Sequence, residues 1–77
     1  MSLHHFHPNT REEALAQELA ERLGDPDGLP VYLKIATRYP ASVIRQMLDR
    51  ALAVPQERIR TSRGALFTWL IHHHGTR

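Results

Sequence analysis

Apolar residues recur at helical spacing between Thr10 and Gly24, which predicts a first amphipathic helix. Thr10 and Glu13 have the spacing of a capping box, in which the hydroxyl and the carboxylate each accept a backbone amide proton. Gly24 supplies a stop, because glycine readily takes the left-handed conformation that ends many helices. We therefore predict a helix over residues 10–23, with an apolar stripe of Leu15, Ala16, Leu19, Ala20 and Leu23.

The next segment, Val31–Arg38, fits two patterns. Apolar and polar residues alternate from Val31 to Ile35, as in a strand. Helical spacing is followed instead by Tyr32, Ile35, Ala36 and Tyr39. A lone strand would leave its backbone groups without hydrogen-bonding partners, so a helix is favoured. A turn-forming run at Asp25–Gly28 and a proline at position 30 place this helix over residues 30–38.

A proline break separates the second helix from a third. Pro40 disfavours helical geometry at Tyr39, so the second helix should end there. The third helix is predicted over residues 40–53, and Val54-Pro55 closes it. Its apolar face consists of Val43, Ile44, Met47, Leu48, Ala51 and Leu52.

The last helix is predicted over residues 62–74, with Thr61 or Ser62 as its cap and Gly75 as its stop. Apolar residues cover most of its circumference. A helix of this kind lies at the centre of a core or in an interface. One hypothesis is therefore a protein–protein interaction module, a homodimer or a small subunit of a larger complex, that docks through Phe67, Trp69, Leu70 and Ile71.

These elements together predict an all-α protein, a compact bundle of about four short helices. The chain has 77 residues, which is short for two domains. Residues 1–77 are expected to form a single helical domain, with residues 1–9 as a loosely ordered tail. The expected core consists of Leu15, Leu19, Leu23, Ile35, Ile44, Met47, Leu48, Leu52, Leu66, Trp69 and Leu70.

Composition narrows the class of protein. The chain has no cysteine, so it forms no disulfide and no thiolate metal site. No apolar run resembles a signal peptide or approaches the length of a membrane span, so we expect a cytoplasmic protein without a membrane partner. A nucleophile elbow, a phosphate-binding glycine loop and a His-Glu-x-x-His motif are all missing from the sequence. We expect no enzyme activity, no cofactor and no small-molecule substrate.

Histidines form two clusters, His4-His5-x-His7 and His72-His73-His74. Imidazole is a common ligand for zinc, nickel and copper. Consecutive residues on a helix point about 100° apart, however, so the second cluster converges poorly on one ion. The first cluster precedes the first helix cap, and no conventional zinc spacing matches. A mixed site of both clusters would require the two ends of the chain to meet in the bundle, and we predict no metal site.

Charge divides unevenly along the chain. Residues 1–30 carry six carboxylates and two arginines, whereas residues 31–77 carry eight cationic side chains and two carboxylates. Nine of the ten cations are arginines, whose planar fork suits phosphate and carboxylate. A GC-rich genome would also enrich arginine. The asymmetry indicates either an anionic partner for the basic half or mutual packing of the two halves.

The run from Arg60 to Gly64 is the most informative local feature. Guanidinium groups, hydroxyls and free amides at a helix N-terminus favour an anion, and a nucleic-acid phosphate is the anion we expect. The alternative is that Thr61 or Ser62 only caps the helix, while the arginines pair with the acidic first helix or stay solvated. The sequence thus predicts a nucleic-acid-binding accessory module that uses Arg45, Arg50, Arg58, Arg60, Thr61, Ser62, Arg63 and Gly64.

Residues 33–52 also fit a helix-turn-helix pattern, with the turn at Tyr39-Pro40-Ala41. Ser42, Arg45, Gln46 and Asp49 would then face a groove of DNA. Proline stands where such turns usually have glycine, and Asp49 would face phosphates unfavourably. Plain packing of two short helices is the alternative.

A further indication comes from several short runs in residues 31–74. They are Tyr39-Pro40, Val43-Ile44-Arg45, Ala51-Leu52, Ile59 and Ser62-Arg63-Gly64-Ala65-Leu66-Phe67-Thr68-Trp69-Leu70-Ile71. The most specific part is the run from Ser62 to Phe67, and the rest is ordinary amphipathic patterning. This stretch resembles a helical segment near the C-terminus of bacterial plasmid- and phage-type replication proteins and of other proteins with helix-turn-helix domains. The resemblance implies a bacterial or phage protein in DNA transactions, without implying a defined activity.

Overall fold

The computed structural model describes residues 10–74 and consists of four α-helices with two short 3-10 turns. The all-α prediction is confirmed: no strand occurs between residues 10 and 74. Each predicted helix end lies within one residue of the observed end, and the segment that also fitted a strand is helical. The expected tail at residues 1–9 and the expected stop at Gly75 lie outside the described residues. The helices are α1 (Arg11–Arg22), α2 (Leu29–Arg38), α3 (Ala41–Ala53) and α4 (Arg63–His73), and the 3-10 turns are Pro26–Gly28 and Gln56–Arg58.

Local capping chemistry explains where α1 and α4 begin. The Glu13 amide donates to Thr10 Oγ1 at 3.1 Å, and the Thr10 amide donates to Glu13 Oε1 at 3.2 Å, which completes the predicted capping box. Of the two candidates for the cap of α4, Ser62 is the one used, because its Oγ accepts from the Ala65 amide at 3.0 Å. Gly24, just beyond α1, has a φ of 66°, as expected for a glycine stop.

The helices pack as two pairs, α1 mainly against α2 and α3 mainly against α4. One apolar cluster joins the pairs. The core prediction is confirmed for seven residues, which are Leu15, Leu19, Leu23, Ile35, Ile44, Met47 and Leu48. Three others are only partly buried, and these are Leu52, Leu66 and Leu70.

Trp69 is the core residue that the sequence placed wrongly, because its side chain is 57% exposed. The buried stripe of α4 runs through Gly64, Phe67 and Ile71, which share one side of a helix at 3.6 residues per turn. Trp69 lies two residues from both Phe67 and Ile71, about 200° around the helix, and therefore points outward.

A tyrosine ties the two helix pairs together. Tyr32 of α2 is 1% exposed, its ring meets that of Phe67 edge-on at 6.0 Å, and its hydroxyl donates to Asp25 Oδ2 at 2.9 Å. Gly64 lies directly against that hydroxyl, so a Cβ at position 64 would collide with it. The start of α4 can therefore approach α2 closely only because residue 64 is glycine.

Candidate nucleic-acid interface

The Arg63 side chain forms hydrogen bonds across the corner between α3 and α4. Its Nη1 donates to the carbonyl oxygens of Ala51 at 2.7 Å and Val54 at 2.8 Å, and its Nη2 donates to Gln56 Oε1 at 3.0 Å. Carbonyls at a helix C-terminus have no partners within the helix, and a cation there also complements the helix dipole. Arg63 is thus a cap for α3, so its guanidinium is not free to bind phosphate as the sequence predicted.

Two other members of the predicted cluster also have structural roles. Gly64 is buried against Tyr32 and Asp25, so its backbone is not open to a phosphate. The Ser62 hydroxyl accepts the Ala65 amide proton, which satisfies one of the free donors at the start of α4. The run Arg60–Gly64 therefore does not form an open anion site at the end of the helix.

Arg45 pairs with the acidic first helix, in line with the mutual packing of the acidic and basic halves that the charge asymmetry also allowed. Its Nη1 lies 3.0 Å from Glu18 Oε2. Glu18 also contacts Arg22 at 3.6 Å, so one carboxylate of α1 serves two cations. Because these side chains are partly exposed, the pairs contribute little stability, but they neutralise Arg45 locally.

The other three arginines of the predicted interface are exposed. Arg50 lies on α3, Arg58 in the second 3-10 turn and Arg60 in the segment that leads to α4. Within the described chain, none of the three guanidinium groups forms a hydrogen bond or an ion pair. Thr61, which is also exposed, makes no side-chain hydrogen bond to residues 10–74. These side chains are therefore available to an external anion.

Two of these arginines share a cleft with the exposed tryptophan. The arginine cleft, as we call it, has a volume of about 450 Å³. Among residues 10–74, its charged lining side chains are the two arginines, and Glu57 is not part of the lining. The lining residues are Val54, Arg58, Ile59, Arg60, Thr61, Ala65, Leu66 and Trp69.

The indole of Trp69 is held in place by its neighbour one turn later. The His73 ring stacks on it with centroids 4.3 Å apart and an interplanar angle of 21°. His73 Nδ1 lies 2.8 Å from the Trp69 carbonyl oxygen. A carbonyl oxygen only accepts, so Nδ1 is the donor in this hydrogen bond. The stack and the hydrogen bond restrict the positions that both rings can take.

A second groove, the valine groove, lies between α2 and α4 on the other side of Trp69. Its volume is about 540 Å³, and Val31, Tyr32, Thr68, Trp69 and His72 are among its lining residues. Val31 is 47% exposed, and it and Trp69 are the exposed large hydrophobic side chains of the described chain. Burial raises the pKa of Tyr32 above its ordinary value, and the hydrogen bond and negative charge of Asp25 raise it further.

The predicted protein interface on α4 divides between the inside and the outside of the bundle. Phe67 and Ile71 are fully buried, so they offer no surface to a partner. Leu70 is partly buried, and Trp69 is the member that reaches solvent. The sequence did not distinguish the buried face of α4 from its exposed face.

The second histidine cluster lies at the end of α4. The Tyr39 ring centroid lies 6.3 Å from that of His72 and 5.8 Å from that of His74. Among residues 10–74, no three histidine or carboxylate side chains are placed to hold a metal ion. The first cluster, His4, His5 and His7, falls outside the described residues.

The residues of the helix-turn-helix pattern are placed on α2 and α3. Ser42, Arg45, Gln46 and Asp49 are all exposed on α3. The two helices contact each other only slightly, since each packs mainly on another partner.

No protein family, curated protein sequence or solved structure matches the chain. In the part of the chain that the structure describes, no helix combines the length and the apolar character needed to cross a membrane.

Proposed function

We propose that the protein is a small, non-catalytic accessory module that binds nucleic acid through the arginine cleft. One observation carries the proposal: Arg58 and Arg60 are exposed, have no partner within the described chain and line the same cleft as the exposed Trp69. Arg50 stays in the proposal as a peripheral phosphate contact. Arg63 is left out of the proposed interface because its guanidinium caps α3.

The chemistry of the cleft favours a polyanion. Arginine forms paired, charge-assisted hydrogen bonds with phosphate oxygens, and each phosphate that is neutralised releases bound counterions. The resemblance of residues 31–74 to a segment of replication proteins points to the same class of partner. The proposal involves no catalytic step, cofactor or metal ion.

Fluorescence anisotropy of labelled oligonucleotides at several salt concentrations tests this function. We expect the affinity to fall steeply as salt rises, because phosphate contacts dominate the binding. In the double variant Arg58→Ala/Arg60→Ala, the slope of log K against log salt should shrink by about 2.

A matched control is the double variant Arg11→Ala/Arg38→Ala. It removes the same charge from exposed residues that do not line the arginine cleft. Equal losses in the two double variants would mean that only the overall charge matters, and an absence of binding at low salt would overturn the proposal.

The valine groove supports a second candidate function, docking of a protein partner. Val31 and Trp69, the exposed large hydrophobic side chains of the described chain, both line it, and apolar surface gathered in one groove is typical of an interaction site. A second copy of the chain is the simplest partner to test. Light scattering should then show a species larger than the 8.9 kDa chain.

Variants on α2 test the docking candidate. Val31→Glu should return the protein to a monomer, because it places a charge in an apolar contact. Thr37→Glu adds the same charge on exposed surface of the same helix and should leave association unchanged. A chain that is monomeric at all concentrations would exclude self-association. Val31 does not line the arginine cleft, so nucleic-acid binding should survive in both variants.

A further inference from the structure

We infer that the arginine cleft binds single-stranded nucleic acid, with one base stacked on the indole of Trp69 and the neighbouring phosphates paired with Arg58 and Arg60. This inference rests on the proposed function and names the form of nucleic acid that the cleft accepts. It depends on the exposure of the Trp69 indole, on the position of the two arginines beside it and on the difference between a single strand and a duplex.

Trp69 has the properties of a stacking platform. It is 57% exposed although it is the largest apolar side chain in the molecule, and it lines the arginine cleft. His73 stacks on the indole but does not line this cleft, so the part of the ring that faces Arg58 and Arg60 is not covered by the imidazole. The hydrogen bond to the Trp69 carbonyl orients the His73 ring, and the stack with that ring limits the positions of the indole before a ligand arrives, which reduces the entropy lost on binding.

The arginines lie where a strand on this platform would place its charge. A base on the indole brings its own phosphate and the adjacent ones to the rim of the cleft. Arg58 and Arg60 are exposed and line this cleft, and among residues 10–74 no carboxylate lines it to oppose the phosphates. The apolar floor, which includes Ile59 and Leu66, suits the flat faces and edges of a base. Cationic groups beside an exposed aromatic ring are typical of sites for single strands.

A duplex cannot use this arrangement. Its bases are stacked on one another, so only their edges are accessible in the grooves. An indole could stack on a base only after the base left the helix, which costs free energy. A single strand presents the face of each base without that cost, and stacking tolerates any base. DNA and RNA share this chemistry, so the cleft does not distinguish them by stacking.

The chain contains a single tryptophan, so its fluorescence reports directly on this ring. We would titrate the protein, excited at the red edge of tryptophan absorption, with oligothymidylate, oligouridylate, a DNA duplex of the same length and an abasic DNA strand. The abasic strand keeps every phosphate but has no base to stack. The single strands should quench the emission and bind about tenfold more tightly than the abasic strand or the duplex.

Substitutions of Trp69 separate stacking from general binding, with anisotropy as the readout. Trp69→Phe retains an aromatic face and should bind a single strand within about threefold of the wild-type protein, whereas Trp69→Leu should lose about tenfold. Both should retain wild-type affinity for the abasic strand. Circular dichroism should show equal helical content in both variants, since residue 69 lies on the surface.

The outcomes distinguish this inference from the proposed function. If the abasic strand and the duplex bind as tightly as oligothymidylate, and Trp69→Leu binds like the wild-type protein, stacking is wrong while phosphate binding stands. If Trp69→Leu weakens the binding of every probe alike, the ring acts through the fold and stacking is again wrong. If no probe binds at low salt, both the inference and the proposed function fail.

Discussion

The two faces of α4 each carry a large apolar side chain but lie in opposite environments. The inner face carries Phe67 and Ile71, both fully buried, and the outer face carries Trp69, which is 57% exposed. The inner face is fixed by its neighbours, because Gly64 lets the start of α4 approach Tyr32 closely and Phe67 meets the same ring. The outer face has only His73 as an aromatic neighbour within the described chain. An apolar residue on this helix is therefore part of the core or open to solvent according to its position, whatever its hydrophobicity.

The largest expected contrast is between Phe67→Ala and Trp69→Ala. Phe67→Ala empties a fully buried site and should lower the free energy of unfolding by about 3–5 kcal/mol, which is enough to unfold a domain of this size. Trp69→Ala should lower it by at most about 1 kcal/mol. Urea unfolding followed by circular dichroism measures the loss in Trp69→Ala and in any Phe67→Ala protein that still folds, and helical signal already lost without urea marks an unfolded Phe67→Ala variant. Similar losses in the two variants would mean that the faces do not differ as described.

A smaller contrast is expected at the start of the helix, between Arg63→Ala and Arg60→Ala. Arg63→Ala leaves the carbonyl oxygens of Ala51 and Val54 without their cationic donor and should cost about 1.5–3 kcal/mol. Arg60→Ala removes an exposed side chain and should change stability by no more than about 0.5 kcal/mol. Thermal unfolding separates the two variants. A larger loss for Arg60→Ala would show that Arg60 has a role within the fold.

The smallest expected effect depends on pH and concerns the hydroxyl of Tyr32, whose ring packs against Phe67 on the inner face of α4. Because the pKa of Tyr32 is raised above its ordinary value of 10.0, folding favours the protonated phenol. The resulting stability is present below pH 10 and is lost as the pH rises above it. Tyr32→Phe should therefore cost about 1 kcal/mol at neutral pH, and this deficit should shrink in alkali.

Thermal midpoints of the wild-type protein and Tyr32→Phe, measured from neutral pH to about pH 11, would show this convergence. Tyr39→Phe is the matched control, since it removes the other tyrosine hydroxyl, which makes no hydrogen bond to the described chain. A stability deficit of Tyr32→Phe that stayed constant or grew with pH would contradict a raised pKa of Tyr32 in the folded protein.

The helices were predictable because their signals are local. The cap at Thr10, the stop at Gly24 and the break at Pro40 each act within a few residues, so short windows of sequence contain them. The candidate site was not predictable to the same degree. Whether Arg63 binds phosphate or caps α3 depends on carbonyl groups up to twelve residues away.

The outward position of Trp69 depends on which side of α4 meets the rest of the bundle. The sequence contains one signal for this choice, the spacing of Gly64, Phe67 and Ile71 on a common stripe, with Trp69 on the opposite side. The apolar run from Ala65 to Ile71, interrupted only by Thr68, hides that signal. The partnership of Tyr32 with Asp25 has no periodic signature, and only packing reveals it.

The hydrogen bonds of Arg63 also bear on folding, because they join groups that are close together in the sequence. Its guanidinium reaches carbonyl groups only nine to twelve residues earlier, so the loop that must close is short and its closure costs little chain entropy. Contacts of such small sequence separation are associated with folding in microseconds to milliseconds. The α3–α4 hairpin is thus a unit of short-range contacts, and it carries the ring that we assign to the bases.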